Sequence, residues 1–160
     1  MKRFIGAFIC MSFLLGPHIC CGDDLPPASQ TVPAMELAML DKMVSDENFS
    51  GLVVAMASWC PPCRKEMPVL AEIYRDYQGK GIRIVAISLD AEGPKAVQPL
   101  ISRLKIPFPV FWVGPAAIEH LRILGIPSML MYKRGRLVKT IPGSLPRKAI
   151  DQKIKTLLLR

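Results

Sequence analysis

An apolar run, Leu52 to Ala57, passes through Ser58 and Trp59 into Cys60-Pro61-Pro62-Cys63, and an amphipathic stretch follows at once. A continuous apolar run of that kind suits a central strand buried on both faces. The stretch after the cysteines carries Leu70, Ile73, Tyr74 and Tyr77 on one helical face, predicting a helix that runs to about Gln78. Gly79-Lys80-Gly81 closes it, glycine being the usual residue just past a helix end. A buried strand that hands the chain directly to a helix, with two cysteines at the junction, calls for a layered α/β core.

The rest of the chain repeats the alternation. Ala34 to Ser45 predicts a helix, with Leu37, Leu40 and Val44 at helical spacing, and Asp46 to Gly51 a turn. Ile82 to Leu89 reads as a second buried strand, and Pro94 to Leu104 as a helix. Pro107 to Val113 reads as an extended segment, and Ala116 to Leu124 as a short helix stopped by Gly125. Ser128 to Tyr132 and Leu137 to Ile141 are predicted strands joined by Lys133-Arg134-Gly135-Arg136, a hairpin with glycine in its turn. Pro146 to Leu158 is the final amphipathic helix. This order predicts the α/β class, a sheet with helices on both faces. At 160 residues and 51% hydrophobic content the chain suits one domain with one core.

The N-terminus reads as a targeting segment. Met1-Lys2-Arg3 is a short positive start, Phe4 to Gly16 carries no charge, and Pro17-His18 breaks the run before Cys20-Cys21. The apolar run is shorter than the ~20 residues of a spanning helix. Residues 1–22 are therefore expected to be a signal peptide or a lipoprotein or membrane-anchor leader, with Cys20 and Cys21 as candidate lipidation sites. Leu25 to Pro33 is rich in proline and small polar residues, so 23–33 is expected to be a linker and 34–160 the folded domain.

Charge is unevenly spread. The formal net charge is +8, yet residues 1–132 hold twelve basic and twelve acidic groups. The last 28 residues hold nine basic groups against Asp151. A solvated face accounts for such a cluster. A membrane surface, met through the leader or this basic C-terminal region, is the alternative partner. No motif with interleaved aromatic and basic residues supports a nucleic-acid partner.

The chemistry is expected at the cysteine pair. Cys10, Cys20 and Cys21 fall in the leader, so the folded part keeps only Cys60 and Cys63. An exported domain with one pair three residues apart has no disulfide framework, and that pair is its redox content. A thiol must ionise before it can attack a disulfide, and the first turn of a helix favours the thiolate through unpaired N–H groups and the dipole. Pro61 at the first helical position removes an N–H that had no partner anyway. Cys60, earlier and expected to be the more exposed, is assigned the attack, and Cys63 the resolution. Zinc would need further ligands, and the remaining histidines, His18 and His120, are isolated, so no metal is assigned.

The segment Ala57-Ser58-Trp59-Cys60-Pro61-Pro62-Cys63-Arg64-Lys65-Glu66-Met67-Pro68 resembles the active-site segment of thioredoxin-superfamily oxidoreductases of the TlpA/ResA type, with their pattern W-C-x-x-C-x-x-E-x-P. Gly125-Ile126-Pro127-Ser128 resembles the loop whose proline is cis in the thioredoxin fold. The resemblance spans about 52–158. It implies a thioredoxin fold, a central mixed sheet flanked by helices, with an extra helix and strand inserted at about Glu92 to Val113, before the cis-proline loop. It further implies that Trp59 packs beside the cysteines and that Pro127 lets Ile126 pair with an extended substrate strand, while Pro68 only kinks its helix. Three features depart from the pattern. Ala55-Met56 replaces a more usual Phe-Trp, Val54 stands where thioredoxin has a buried acid, and the domain is predicted to start with a helix rather than a β-hairpin.

The expected function is therefore a thiol–disulfide oxidoreductase outside the cytoplasm. Its expected partners are disulfide-containing exported proteins, with apocytochrome c as one family substrate, and a membrane or exported thiol donor. Exchange passes electrons through sulfur alone, so no cofactor is expected. Glu66, three residues after Cys63, shares its helix face and is a candidate proton acceptor. Two alternatives use the same fold. A peroxiredoxin-like thiol peroxidase would carry Pro-x-x-x-Thr/Ser-x-x-Cys, which nothing before Cys60 matches, and a copper carrier would carry Cys-x-x-x-Cys with a distant histidine.

Overall fold

The computed structural model describes residues 31–158; the leader with Cys20 and Cys21, and the linker through residue 30, lie outside them. Ten elements follow in chain order: α1 (Leu37–Ser45), β1 (Gly51–Met56), α2 (Pro61–Tyr77), β2 (Arg83–Ser88), α3 (Pro94–Leu104), β3 (Val110–Trp112), α4 (Ala116–His120), β4 (Ser128–Lys133), β5 (Arg136–Pro142) and α5 (Arg147–Leu158). The strands form one sheet in the order β3-β2-β1-β4-β5. β1, β2 and β3 run parallel, whereas β4 is antiparallel to both β1 and β5. This is the mixed sheet of the thioredoxin fold. The helix and strand expected between residues 92 and 113 are α3 and β3, and β3 extends the sheet beyond β2.

Alternation along β1 builds two cores from one strand. Leu52, Val54 and Met56 join the apolar residues of α2, α3 and α5, among them Met67, Leu70, Val97, Leu100, Ile150 and Ile154. Val53 and Ala55 point the other way, toward Leu40 and Val44 of α1 and Ala117 of α4. Successive strand side chains take opposite faces, so a strand covered on both sides must be apolar at every position. Each large aliphatic side chain fully buried this way contributes about 1.5–3 kcal/mol.

The first strand residue has little choice. In the parallel register Gly51 faces Arg83, and a Cβ at Gly51 would lie 1.9 Å from the Arg83 carbonyl oxygen. Gly51→Ala should push the two central strands apart and destabilise the fold by about 1–3 kcal/mol or more, read as a lowered midpoint in urea unfolding. The β4–β5 hairpin turns on Arg134 and Gly135, both at positive φ, the conformation that two-residue hairpin loops favour. Gly135 N–H donates to the Phe49 carbonyl at 2.9 Å, and a Cβ there would strike the Ser45 carbonyl.

Three expectations change. The helix predicted from Ala34 begins at Leu37, because the chain before it pairs with β3. Trp112 N–H donates to the Pro33 carbonyl and Met35 N–H to the Trp112 carbonyl, and Val32, inside the stretch read as linker, is buried. The helix predicted to reach Leu124 stops at His120, and Arg122 then takes a positive φ. Of the extended segment 107–113 only Val110–Trp112 is strand; prolines at 107 and 109 lack the N–H that a ladder needs.

β5 is the outer strand on its side, and it carries the features that discourage further pairing. Arg136, Lys139 and Pro142 lie on it. A register shift leaves Val138 without a partner between Leu137–Tyr132 and Lys139–Met131. At the surface, Arg147 of α5 reaches Glu72 and Asp76 of α2, and His120 of α4 pairs with Asp41 of α1. Exposed pairs of this kind add little stability each.

Candidate active site

β1 ends at Met56, and the chain turns once before α2 begins. Cys60 N–H donates to the Ala57 carbonyl at 3.2 Å, closing a turn with Ser58 and Trp59 at its centre. Cys60 is the N-cap of α2, and its Sγ accepts the Cys63 N–H at 3.2 Å. Pro61 and Pro62 fill the two positions between and have no N–H to offer, so the Cys63 amide is the donor aimed at the sulfur. Both prolines are exposed.

A disulfide joins Cys60 and Cys63. Cys60 was expected to be the more exposed, but the two are nearly equal, at 2% and 1%. Their surroundings differ. Cys60 is flanked by exposed Trp59, Pro61 and Pro62, whereas Cys63 lies on the buried face of α2 with Glu66, Met67 and Leu70. Trp59, expected beside the cysteines, adjoins Cys60 in the chain and is 64% exposed. As a central residue of the turn it is displayed to solvent.

The second half of the site comes from the loop before β4. The Ile126–Pro127 peptide is cis, as the resemblance implied. The Ile126 carbonyl oxygen lies 3.8 Å from Cys60 Sγ. Leu124, two residues earlier, is 90% exposed. The Pro127 carbonyl accepts the N–H of Gly143 at 2.7 Å, which ties the β5–α5 connection to this loop.

Glu66 shares that connection. Its side chain is buried on the inner face of α2, one helical turn after Cys63, and its Oε1 accepts the Leu145 N–H at 2.8 Å. Burial pushes the carboxyl above its ordinary value of 4.5, and the Leu145 hydrogen bond opposes part of that rise. Val54, at the position of thioredoxin's buried acid, is an apolar core residue. Among the expected residues the structure thus brings together Cys60, Cys63, Ile126 and Pro127, places Glu66 beneath them and Trp59 at the rim. Cys20 and Cys21 lie outside the described residues.

Two residues that the sequence reading passed over stand beside this group. Asp90, just past β2, is fully buried and binds the turn that carries Trp59. A lone aspartate after a strand reads as an ordinary turn residue, and its partner lies 32 positions away. Leu124 gave only the signal of a large apolar residue next to the Gly-Ile-Pro motif.

Comparison with known proteins agrees with this fold. The AhpC/TSA family matches residues 28–121. The thiol-disulfide oxidoreductase ResA of Bacillus thuringiensis subsp. konkukian is 30% identical over 119 residues, covering 71% of this chain and 68% of its own. ResA of Oceanobacillus iheyensis is 29% identical over 127 residues, 78% of this chain and 66% of its own. Among solved structures, a putative thiol:disulfide interchange protein DsbE from Chlorobium tepidum superposes with a TM-score of 0.65 at 24% identity, covering 86% of this chain and 96% of that one. A thiol-disulfide isomerase from Corynebacterium glutamicum gives 0.67 at 19% identity, covering 86% and 98%. At these identities the two structures speak for the fold.

Proposed function

We propose that this chain, which belongs to the AhpC/TSA family and is a thiol–disulfide oxidoreductase of the TlpA/ResA type in the thioredoxin superfamily, reduces or exchanges disulfides in exported proteins. The observation that carries the proposal is the Cys60–Cys63 disulfide at the head of α2, with the Ile126 carbonyl beside Cys60. In the reduced protein the Cys60 thiolate attacks one sulfur of a substrate disulfide. A mixed disulfide forms, and the other substrate sulfur leaves as a thiolate. Cys63 then attacks Cys60 Sγ, releases the second substrate sulfur and leaves the Cys60–Cys63 disulfide. Two electrons pass to the substrate, and a membrane or exported thiol donor restores the pair.

Pro62 argues for the reducing direction. A thiolate at a helix N-terminus is stabilised by backbone N–H groups, and a strongly stabilised reduced form makes a strong oxidant. Here Pro62 brings no N–H at the second helical position, one of the two from which a capping side chain can accept. The reduced pair is stabilised less and gives up its electrons more readily. Equilibration with glutathione should give a midpoint nearer to about −270 mV, as in thioredoxin, than to about −120 mV, as in DsbA. A value near the latter would make the protein an oxidant and overturn the direction. Peroxide consumption by the purified protein, with no exchange on protein disulfides, would favour the thiol-peroxidase reading instead.

Location follows from the leader. The uncharged run between Arg3 and Cys20-Cys21 is expected to direct export to the bacterial periplasm or the outer face of the membrane. No helix among the described residues is long and apolar enough to cross a membrane. Fractionation of cells making the full chain should recover it outside the cytosol. If the leader is lipidated, Cys20→Ser combined with Cys21→Ser should move the protein from the membrane to the soluble fraction. Cytosolic recovery with the leader intact would sink this assignment.

A further inference from the structure

The structure assigns Asp90 as the positioning residue of the redox site, a buried carboxylate that holds the turn displaying Trp59 and delivering Cys60 to the head of α2. The turn from Ala57 to Cys60 uses the Ala57 carbonyl and the Cys60 N–H for its own closure. Ser58 N–H, in the middle, has no acceptor within the turn. Asp90 supplies one from outside. Ser58 N–H lies 3.1 and 3.0 Å from its two carboxylate oxygens, and Ser58 Oγ–H donates to Oδ1 at 2.6 Å. Ser88 Oγ–H, on β2, donates to Oδ2 at 2.7 Å.

Asp90 is itself fixed by its neighbours. Leu89 N–H donates to the Met56 carbonyl, which ties the end of β1 to the chain just past β2. The Trp112 indole N–H donates to the Asp90 carbonyl at 2.6 Å, which adds β3 to the same anchor. Asp90 has 0% exposure, and a backbone N–H and two hydroxyls donate to its two carboxyl oxygens. That arrangement suits holding a turn. It also ties the residue before Trp59 to the sheet, although Trp59 itself is mostly exposed.

The inference rests on the reading that protein disulfides are the substrate, and its test separates the two. The Asp90→Ala variant should be compared with the wild type on a disulfide-bonded protein and on a small aromatic disulfide. Trp59 fluorescence anisotropy should be read in a Trp112→Phe background, with Trp112→Phe alone as the reference, because that change also removes the indole bond to the Asp90 carbonyl. The expected result is a roughly tenfold loss of kcat/KM on the protein disulfide against about threefold or less on the small one, together with lowered Trp59 anisotropy. Asp90→Asn, which keeps an acceptor for Ser58 N–H, should restore most of both. Equal losses on the two disulfides with unchanged anisotropy would reduce Asp90 to a fold residue and overturn the proposal. Should Asp90→Ala fail to fold, Ser58→Ala removes one hydroxyl and no backbone bond; it should lower the protein-to-small ratio about twofold to threefold, and an unchanged ratio overturns the proposal equally. Wild-type protein inert toward protein disulfides would instead sink the substrate reading, and the anisotropy arm would still decide the role of Asp90.

Discussion

Cys63→Ala is expected to turn the protein into a trap that accumulates covalent complexes with its substrates, whereas Cys60→Ala accumulates none. The asymmetry follows from position. Cys60 caps α2 between exposed residues and receives the Cys63 N–H on its sulfur, which favours its thiolate once the pair is reduced. Cys63 faces inward on α2, among apolar side chains of the core. A mixed disulfide on Cys60 therefore waits for Cys63, and removing Cys63 leaves it unresolved. Cys60→Ala should lower disulfide reduction by roughly 10³-fold or more, as loss of a covalent nucleophile does. Acid quenching, alkylation of free thiols and non-reducing electrophoresis count the complexes directly. Equal trapping by the two variants would contradict the assignment. Because the oxidised pair shows almost equal exposure at both cysteines, this experiment tests roles that burial alone does not separate.

Local pattern and long-range contact were unequally legible in the sequence. The strand–turn–helix junction was readable because each signal is local: an apolar run, two prolines that fit a helix start, and a following helical stripe. The cis-proline loop was readable through Gly125-Ile126-Pro127-Ser128. The extension of 32–35 along β3 was not, because the helical period of Leu37, Leu40 and Val44 continues backward through Ala34. What ends it is pairing with Trp112, more than seventy residues away. Asp90 escaped for the same reason, since β1–β2 register sets its partner. Trp59 was legible as a neighbour of the pair, while its exposure follows from its place at the centre of a turn, which the residue type alone does not give. Glu66 was placed on the right helix face by spacing, while its burial and its bond to Leu145 depend on the β5–α5 connection folding back.

Glu66→Gln should leave the fold and the first attack by Cys60 intact and slow the resolving step about ten- to a hundred-fold. Resolution needs Cys63 to lose its proton, and a thiol on the buried face of a helix ionises reluctantly. Val54 cannot accept that proton. Glu66 sits one turn further along the same buried face, and burial raises its carboxyl toward the working pH, where a proton acceptor is most effective. Glutamine keeps an oxygen for the Leu145 N–H and removes only the capacity to take a proton. Stopped-flow mixing of the reduced variant with a disulfide substrate from pH 5 to 9 resolves attack from resolution. An unchanged resolution rate and pH profile would leave Glu66 without a part in the chemistry. The same carboxyl gives an independent check through stability. Its folded pKa lies above the unfolded value, so the protonated form favours folding, and its contribution is fully present below about pH 4.5 and lost as pH rises through the folded pKa. The uncharged glutamine suffers no such loss. The melting-temperature difference between Glu66→Gln and the wild type should therefore move in favour of the variant as pH climbs from 4 through the raised pKa, then level off. A difference that stays flat across that window would mean the carboxyl titrates normally, and with it would go the reason for a base at this position.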